Sequence, residues 1–540
     1  MLGFIIILTF AFAQAAPPEE AVWVFFRDKG FNPTELTSAL EITTYNWPAR
    51  SLQRRVKNDC AVAESDLPVR PEYLEEISAR GISIRQVSRW LNAASVTVRP
   101  SQREWLQELP FVTAVKPVKN LQGDETGLIC AEELTASEME AVADELSMRS
   151  EAYSAGVYGP SWAQAQQAGA VAAHRRGLTG RGVLIGMLDT GFNLDHIAFT
   201  GLDLVDQHDF IFNDPDPAYD STIDPPGQAN HGTACLSVIT GFDPGKLVGI
   251  APNASVALAK TEFTGSETRV EEDYWVAGVE WLEWLGVDVI SSSLTYRNWY
   301  SEDDYDGRAS LVTRAAQRAY ELGVVVCISA GNGGPAEVTI GAPADATGVL
   351  GVAAVDSTGQ IARFSSRGPS SDGRIKPDVA ARGRSVVCVS PMTYNRYARW
   401  NGTSLACPIV AGAAALVCEA HPDWPADRVV EALRMTASQW DRPDYDLGYG
   451  LINVIEALDY PQIRGSIISL STGKAVSGLN VSLLLNDRLF FQDVSSRDGG
   501  YRFNNVPPGI YRLTTSEGDS ARTLSVQVPP GYRTDILIRQ

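Results

Sequence analysis

The hydrophobic residues between positions 158 and 460 fall in short, nearly continuous runs. GVLIGMLD, SVALAK, VDVISSSL, GVVVCISA and GVLGVAAV are such runs, and stretches with helical spacing separate them. Strands that are buried on both faces of a parallel sheet have this pattern, because helices cover both faces of such a sheet. We therefore predict a three-layer α/β domain with a parallel sheet over residues 158–460.

A shorter alternation precedes this domain, over residues 17–117. AVWVFFR, ISIRQVSRW, AASVTV and FVTAVKPV are typical of strands, and PEYLEEISARG and SQREWLQELP are typical of helices. The predicted order β-α-β-β-α-β is that of ferredoxin-like α+β domains. Residues 118–157 are polar and acidic, and we interpret them as a linker that carries one helix.

Helical spacing ends after Pro461. Short strand-like segments, separated by turn sequences such as NDR, RDGG and PPG, fill residues 461–540. Short strands at this spacing predict a small all-β sandwich of seven strands.

Residues 1–16 form an apolar segment, MLGFIIILTFAFAQAA, that ends in small residues. The apolar run is too short to span a bilayer comfortably, and Ala13-Gln14-Ala15 fits a signal-peptidase site. We therefore expect a signal peptide and a secreted, extracellular protein, with attachment to the cell surface left open. A buried N-terminal segment is the alternative, because no Lys or Arg precedes the run. No other stretch is long and apolar enough to be a transmembrane segment.

Composition narrows the function further. The chain has 540 residues and a formal net charge of −20, which disfavours a nucleic-acid partner because phosphate binding requires an excess of Lys and Arg. None of its seven cysteines has the spacing of a zinc site, and most lie inside apolar runs. We expect most of them to be buried free thiols, and one disulfide remains open.

Ser404 lies in the stretch NGTSLACP, at a small-residue turn before an apolar helix. A serine hydroxyl becomes a nucleophile only when a base takes its proton and an acid orients that base. His231 is the candidate base, since HGTACLSVITG places it where a loop ends and an apolar helix begins. The other four histidines lie in loops, at a helix end or on a presumed surface helix: His174, His196, His208 and His421.

Asp189 is the candidate acid, because RGVLIGMLDTGF places it at the end of a buried strand. A buried carboxylate needs a partner, and an imidazole N–H is a good one. The order Asp189, His231, Ser404 and the motifs ISAGNGG, FSSRGP, KPDVAARG, NGTSLACPIVAGAAAL and GYGLINVIEAL resemble the subtilisin-like (subtilase) serine peptidases. The resemblance implies a serine endopeptidase that hydrolyses polypeptide substrates through an Asp-His-Ser triad and an acyl-enzyme, without an organic cofactor.

Further residue roles follow from the same resemblance. Asn332 matches the side chain that, with the backbone N–H of Ser404, holds the oxyanion. Three positions depart from the family pattern close to the triad, and we interpret them as packing variation: Ala234, Leu405 and Cys407.

The substrate-binding positions are also implied by resemblance. Ser293, Leu294 and Thr295 match the strand with which an extended substrate pairs, and Thr295 stands in place of the usual glycine. Gly331 and Gly341 match the side and the floor of the pocket for P1, the residue before the scissile bond. Two glycines there predict a roomy pocket and a bulky apolar P1 residue.

The flanking regions resemble known companions of such peptidases. Residues 17–117 resemble the propeptides of secreted bacterial subtilases, which implies that the chain binds its own propeptide as an inhibitor and folding chaperone until autoprocessing in the linker. An unrelated α+β binding domain is the alternative. Residues 461–540 resemble the regulatory-like sandwich that follows some carboxypeptidases.

Structural Ca²⁺ is common in the family, but no calcium-binding motif supports it here, and the acidic loop FNDPDPAYD is a weak candidate. We therefore predict no metal ligands. Two other functions stay open at this point, a non-catalytic surface binding protein that retains the peptidase fold and an esterase with the same triad.

Overall fold

A computed structural model of the chain describes the following residues: 19–118, 129–135, 153–265, 270–297, 300–461, 463–469, 472–504, 506, 509–517, 520–528 and 534–539. The predicted signal peptide and the predicted linker helix lie outside these residues. Contacts divide the chain into two compact units, one formed by residues 1–43 and 63–120 and the other by residues 44–62 and 121–540.

The N-terminal region contains four strands and four helices. The strands are β1 (Glu20–Phe26), β2 (Ser83–Ser88), β3 (Ala93–Val98) and β4 (Val112–Pro117), and the helices are α1 (Pro33–Tyr45), α2 (Ala49–Lys57), α3 (Pro71–Ser78) and α4 (Pro100–Glu108). The strands form an antiparallel sheet in the order β2-β3-β1-β4. This order confirms the predicted ferredoxin-like architecture. α1 and α2 were not predicted from the sequence. They form an insertion between β1 and α3, and α2 belongs to the second unit.

The second unit is built on the predicted parallel sheet. Its strands before residue 402 are β5 (Ile129–Glu133), β6 (Leu184–Asp189), β7 (Asp203–Asp209), β8 (Phe242–Asp243), β9 (Leu247–Val248), β10 (Ser255–Lys260), β11 (Val289–Ser292), β12 (Val325–Ser329), β13 (Leu350–Val355), β14 (Val379–Arg382), β15 (Val386–Val389) and β16 (Tyr397–Asn401). Seven of them form one sheet in the order β14-β13-β12-β11-β6-β10-β7, and each neighbouring pair is parallel.

Helices cover both faces of this sheet. They are α5 (Ala155–Tyr158), α6 (Trp162–Gln167), α7 (Ala170–Arg175), α8 (Asn230–Thr240), α9 (Val270–Leu285), α10 (Leu311–Glu321), α11 (Thr403–Ala420), α12 (Ala426–Met435) and α13 (Val454–Leu458). Along β6, Ile185 and Met187 belong to the core that contains α8 and α11, whereas Gly186 and Leu188 face α9. Alternate side chains therefore enter different layers, and the three-layer α/β prediction is confirmed.

Two features of the second unit bear on the predicted linker and on membrane insertion. β5 lies within residues 118–157 and pairs with β16 in an antiparallel sheet, β15-β16-β5. That region therefore contains a strand that was not predicted from the sequence.

Within the described residues, α11 is the one helix long and apolar enough to cross a membrane, but 89% of its most apolar window is buried inside the unit.

The C-terminal region consists of short strands, as predicted. They are β17 (Ile463–Ile468), β18 (Asn480–Leu485), β19 (Arg488–Val494), β20 (Gly500–Phe503), β21 (Gly509–Glu517), β22 (Ser520–Val528) and β23 (Thr534–Arg539). They form two sheets, β20-β17-β23 and β19-β18-β21-β22, around a common apolar cluster that includes Ile463, Leu483 and Tyr511.

Candidate active site

Asp189 is the last residue of β6, at the carboxyl edge of the parallel sheet. Its side chain is fully buried, and Oδ1 accepts hydrogen bonds from the Thr190 N–H at 2.8 Å and from His231 Nδ1 at 2.6 Å. A carboxylate bonded to Nδ1 fixes the proton on that nitrogen, so Nε2 of His231 is left as the basic atom. The structure thus brings together the predicted acid and the predicted base.

His231 lies in the first turn of α8, where the sequence places it. Gly232 follows it, and a Cβ at this glycine would lie 2.3 Å from the Gly191 carbonyl oxygen and 3.0 Å from Asp189 Cβ. Any larger residue would therefore push α8 away from the end of β6. The glycine permits the close approach that the Asp189–His231 contact requires.

Cys235 lies one turn along α8 from His231, on the same face of the helix. Its thiol donates a hydrogen bond to the Ser404 carbonyl oxygen at 3.2 Å, and this contact joins α8 to the start of α11. The ligand atoms of Asp189, His231 and Cys235 lie within 4.8 Å of one another. Burial raises the pKa of the Cys235 thiol well above its ordinary value, so it stays protonated and is not the thiolate that metal ions bind.

Ser404 is the second residue of α11 and is nearly buried. Pro408, four residues later, has no N–H with which to bond the Ser404 carbonyl oxygen as a helix normally does. That oxygen instead accepts the Ser293 hydroxyl at 2.8 Å as well as the Cys235 thiol. The Ser404 hydroxyl in turn donates to the Ser293 carbonyl oxygen at 3.3 Å. These contacts fix the first turn of the helix against the end of β11.

Asn332 follows β12 at the same edge of the sheet. Its carboxamide oxygen accepts two hydrogen bonds from Thr403, from the N–H at 3.0 Å and from the hydroxyl at 3.0 Å. These two contacts fix the carboxamide of Asn332 beside the residue that precedes Ser404, at the start of α11. The N-terminus of α11 adds a favourable dipole for negative charge at the same place.

The Thr295 side chain lies beside the two glycines of the predicted P1 pocket. A Cβ at Gly341 would lie 2.3 Å from Thr295 Cγ2, and a Cβ at Gly331 would lie 3.2 Å from the same methyl group. The Thr295 hydroxyl contacts the Ser329 carbonyl oxygen at 3.0 Å, which fixes the direction of the methyl. The Thr295 methyl therefore lies beside both glycines, at the place where the roomy pocket was predicted, and the size of that pocket stays a prediction.

The two remaining predicted substrate-binding residues lie beside this pocket. Ser293 and Leu294 directly follow β11, and both are nearly buried. Two residues further, Tyr296 and Ala342 exchange backbone hydrogen bonds of 2.7 Å and 3.1 Å, which tie this segment to the one that contains Gly341.

The other histidines have structural contacts. His174, predicted on a surface helix, is buried against Tyr158, and its Nε2 donates to a backbone carbonyl at 2.8 Å. His196 and His421 make similar Nε2 contacts of 2.9 Å and 2.8 Å. Burial lowers the pKa of all three, so they are held neutral inside the fold. The fourth, His208, lies on the edge strand β7.

The three departures from the family pattern are buried packing positions, as interpreted. Ala234, Leu405 and Cys407 are fully buried, and the Cys407 thiol contacts the Ser292 carbonyl oxygen at 3.5 Å. Six of the seven cysteines are free thiols in the part of the chain whose side chains the structure describes: Cys60, Cys235, Cys327, Cys388, Cys407 and Cys418. Sequence reasoning missed Cys235 and Pro408 as supports of Ser404, although the proline four residues after the serine is a visible signal.

The acidic loop proposed for calcium is flanked by a buried lysine. Lys260 Nζ lies 2.9 Å from Asp209 and 2.8 Å from Asp224, so its ammonium supplies positive charge between two carboxylates at the ends of this region. The loop carboxylates of Asp214 and Asp216 accept local backbone N–H groups. The prediction that the chain has no metal ligands stays a prediction.

Comparisons with known proteins agree with this geometry. Residues 180–450 match the model of the subtilase family, and residues 21–129 match the model of the peptidase S8 propeptide domain of Bacteroidota. The chain is similar to serine protease AprX of Bacillus subtilis, with 30% identity over 324 residues that cover 54% of this chain and 69% of the relative. It is also similar to subtilisin DY of Bacillus licheniformis, with 35% identity over 283 residues that cover 52% of this chain and 92% of the relative.

A solved structure shares the fold. Fervidolysin from Fervidobacterium pennivorans, a keratinolytic enzyme related to subtilisin, superposes with a TM-score of 0.53 at 17% sequence identity. The match covers 97% of this chain and 79% of fervidolysin.

Proposed function

This chain belongs to the subtilase family of serine endopeptidases, and on that premise we propose that it cuts polypeptides through the triad Asp189, His231 and Ser404. The observation that carries the proposal is the 2.6 Å contact between buried Asp189 and His231 Nδ1, next to the first turn of the Ser404 helix. The alternative of a non-catalytic binding protein is not favoured, because binding by the same fold would not require this pair.

The proposed reaction begins with rotation of the Ser404 side chain. Its hydroxyl, directed at Ser293 in the resting state, turns to His231, and Nε2 takes the proton as the oxygen attacks the scissile carbonyl carbon. Asp189 holds the ring and stabilises the imidazolium. The negative charge on the former carbonyl oxygen is held by the Asn332 amide and the Ser404 N–H.

Collapse of this intermediate breaks the peptide bond. His231 gives its proton to the leaving amine, and the acyl group stays on Ser404. Water then enters, loses a proton to His231 and releases the new carboxylate, which restores the serine. These steps use only groups of the chain, the substrate and water.

We also propose that the protein is made as an exported precursor. The apolar segment of residues 1–16 supports export, and the propeptide match at residues 21–129 supports maturation by its own activity. The boundaries 17–117, 118–157, 158–460 and 461–540, and the regulatory-like identity of the last region, remain predictions.

A direct test combines two reagents. The exported protein should be labelled by a fluorophosphonate probe at Ser404 and should degrade casein, whereas Ser404→Ala should do neither. Absence of labelling would favour the binding protein, and labelling with ester turnover but intact casein would favour the esterase.

We further propose a small P1 residue, in place of the bulky residue that the two glycines alone suggested. The methyl of Thr295 limits the depth of the pocket, and Thr295→Ser removes that methyl while it keeps the hydroxyl contact to Ser329. We expect the ratio of kcat/KM for P1 Leu over P1 Ala to rise about tenfold in Thr295→Ser. Thr295→Val keeps a methyl and should leave the ratio low.

Peptide libraries cut by the three mature enzymes measure this ratio. A wild-type enzyme that prefers Phe or Leu at P1, or a Thr295→Ser enzyme with an unchanged profile, would show that the methyl does not limit the pocket. A preference for Lys or Arg would contradict both versions of the apolar pocket.

A further inference from the structure

The inserted helix α2 carries two arginines that the fold buries almost completely. Arg54 is 3% exposed and Arg55 is 1% exposed, and both pair with Glu283 on α9, which is 0% exposed. Arg55 makes a two-pronged contact, Nε to Oε1 at 2.9 Å and Nη2 to Oε2 at 2.9 Å. Its guanidinium also lies over the ring of Trp47, with a centroid distance of 4.9 Å. Burial of a charged side chain costs free energy because it loses its hydration, so such charges are kept in a fold where an opposite charge and hydrogen bonds compensate that loss.

Arg54 also binds the carboxyl ends of two helices. Its Nη1 donates to the Glu283 carbonyl, in the last turn of α9, at 3.2 Å and to the Val287 carbonyl, just after that helix, at 2.9 Å. Its Nε donates to the Leu322 carbonyl at 3.3 Å, just after α10. A cation at a helix C-terminus meets both unpaired carbonyls and the negative end of the helix dipole.

Two other side chains of the insertion bind neighbouring helix or strand ends. Arg50 donates to the Gly286 carbonyl at 3.0 Å and pairs with Asp288. Asn58 accepts the N–H of Ala426, the first residue of α12, at 2.7 Å. Gly286 has φ +91°, and a Cβ there would lie 2.6 Å from the Ser51 backbone nitrogen. The backbone of α2 therefore packs closely against the backbone that follows α9.

This surface lies at the amino edge of the parallel sheet. Asp288 directly precedes β11, and Leu322 comes shortly before β12. The catalytic residues lie at the opposite, carboxyl edge, where Asp189 ends β6. Residues 49–60 therefore do not reach the candidate active site from this position.

We propose that residues 49–60 are a docking latch, a second contact by which the propeptide holds the peptidase domain. The latch segment lies within the matched propeptide region, 21–129, and its partner is the surface formed by Glu283 and the ends of α9, α10 and α12. After the covalent link is cut, the latch keeps the propeptide bound, and its release returns Glu283 and the helix ends to water. The docking does not depend on the proposed peptidase activity. The release step rests on the proposed function, because the propeptide can leave only after the chain has been cut.

Hydrogen exchange on the full Ser404→Ala precursor tests the docking without any activity. In this parent, amides of residues 49–60, of the end of α9 and of Ala426 should be protected. Arg54→Met should speed their exchange at least about tenfold, because the carbonyls of Glu283, Val287 and Leu322 then lose their donor and Glu283 loses one of its two arginine partners. Lys57→Met removes the same charge from the last turn of α2, where the side chain is only partly buried, and should leave these rates near the parent's.

A milder variant covers the case in which Arg54→Met does not fold. Asn58→Ala removes the contact to Ala426 and the bond from the Asn58 amide to the Arg54 carbonyl, and it leaves both arginines in place. It should speed exchange at the start of α12 and leave the end of α9 protected. Unprotected residues 49–60 in the parent would overturn the latch. Equal exchange in Arg54→Met and Lys57→Met would overturn it as well.

The release step is measured in chains that keep Ser404. The cut propeptide should co-elute with the mature enzyme in size exclusion, and Arg54→Met should shorten the lag before full activity several-fold. The mature enzymes are then identical in sequence, so their final specific activities should agree. Equal lags would contradict a latch that slows release, whereas an uncut wild-type chain with the exchange pattern intact would contradict the proposed function and not the docking.

Discussion

The Ser404→Ala chain should accumulate as the full precursor, without its signal peptide, when it is exported by a host that lacks other proteases. The wild-type chain should lose a fragment of the propeptide's size under the same conditions. Removal of the nucleophile should lower kcat by about a millionfold, a magnitude taken from the related enzyme subtilisin. The fold should survive, because the described contact of the Ser404 hydroxyl is a single 3.3 Å bond to Ser293.

Intact-mass spectrometry of both chains decides this prediction. We expect the first cut between Lys116 and Val157, because the adjoining chain reaches the cleft at high effective concentration. Mature wild-type enzyme added to the Ser404→Ala precursor is the control, since cleavage in trans would show that the bond is accessible. Trimming of the Ser404→Ala chain at the wild-type site without added enzyme would assign maturation to another protease.

The residues of the candidate site were predictable where local sequence determines position. Asp189 ends a run of buried apolar residues, and β6 ends at the same residue in the structure. His231 was expected at the start of an apolar helix, and it lies in the first turn of α8. A strand end and a helix start each leave a short-range signal, and the parallel topology then brings them to one edge of the sheet.

The latch was not predictable in this way. Arg54 and Arg55 lie in SLQRRVK, which reads as a solvated basic helix, because arginine is seldom fully buried without a partner. Glu283 is more than two hundred residues away in the sequence. A local sequence pattern cannot predict an ion pair that forms only when the tertiary fold brings two distant residues together.

His174 and Thr295 show the same limit at shorter range. His174 was expected on a surface helix, in the stretch AAHRRG, but its ring is buried against Tyr158. Thr295 was noticed as a departure from glycine, and the direction of its methyl became visible only with the Ser329 contact. The sequence identified both positions as notable, but what each side chain contacts depends on the direction in which it points, and that is known only from the structure.

The Asn332→Ala enzyme should show kcat lowered by about a hundredfold to a thousandfold with KM little changed; this magnitude was measured on the corresponding group of subtilisin. The amide acts on charge that exists only in the transition state, so substrate binding should not depend on it. Initial rates on one peptide substrate, with the active fraction counted by complete fluorophosphonate labelling, give both constants.

Asn332→Ala also removes the acceptor for Thr403. Its effect on the position of the start of α11 must therefore be separated from its effect on the oxyanion of the transition state. Thr403→Val deletes the 3.0 Å hydroxyl contact to the Asn332 oxygen and leaves the backbone contact and the amide in place. We expect a much smaller loss of kcat in this variant, because the donor toward the oxyanion remains. An equal loss in both variants would assign the role to the fixed start of α11, and a normal kcat in Asn332→Ala would show that the oxyanion is held by other groups.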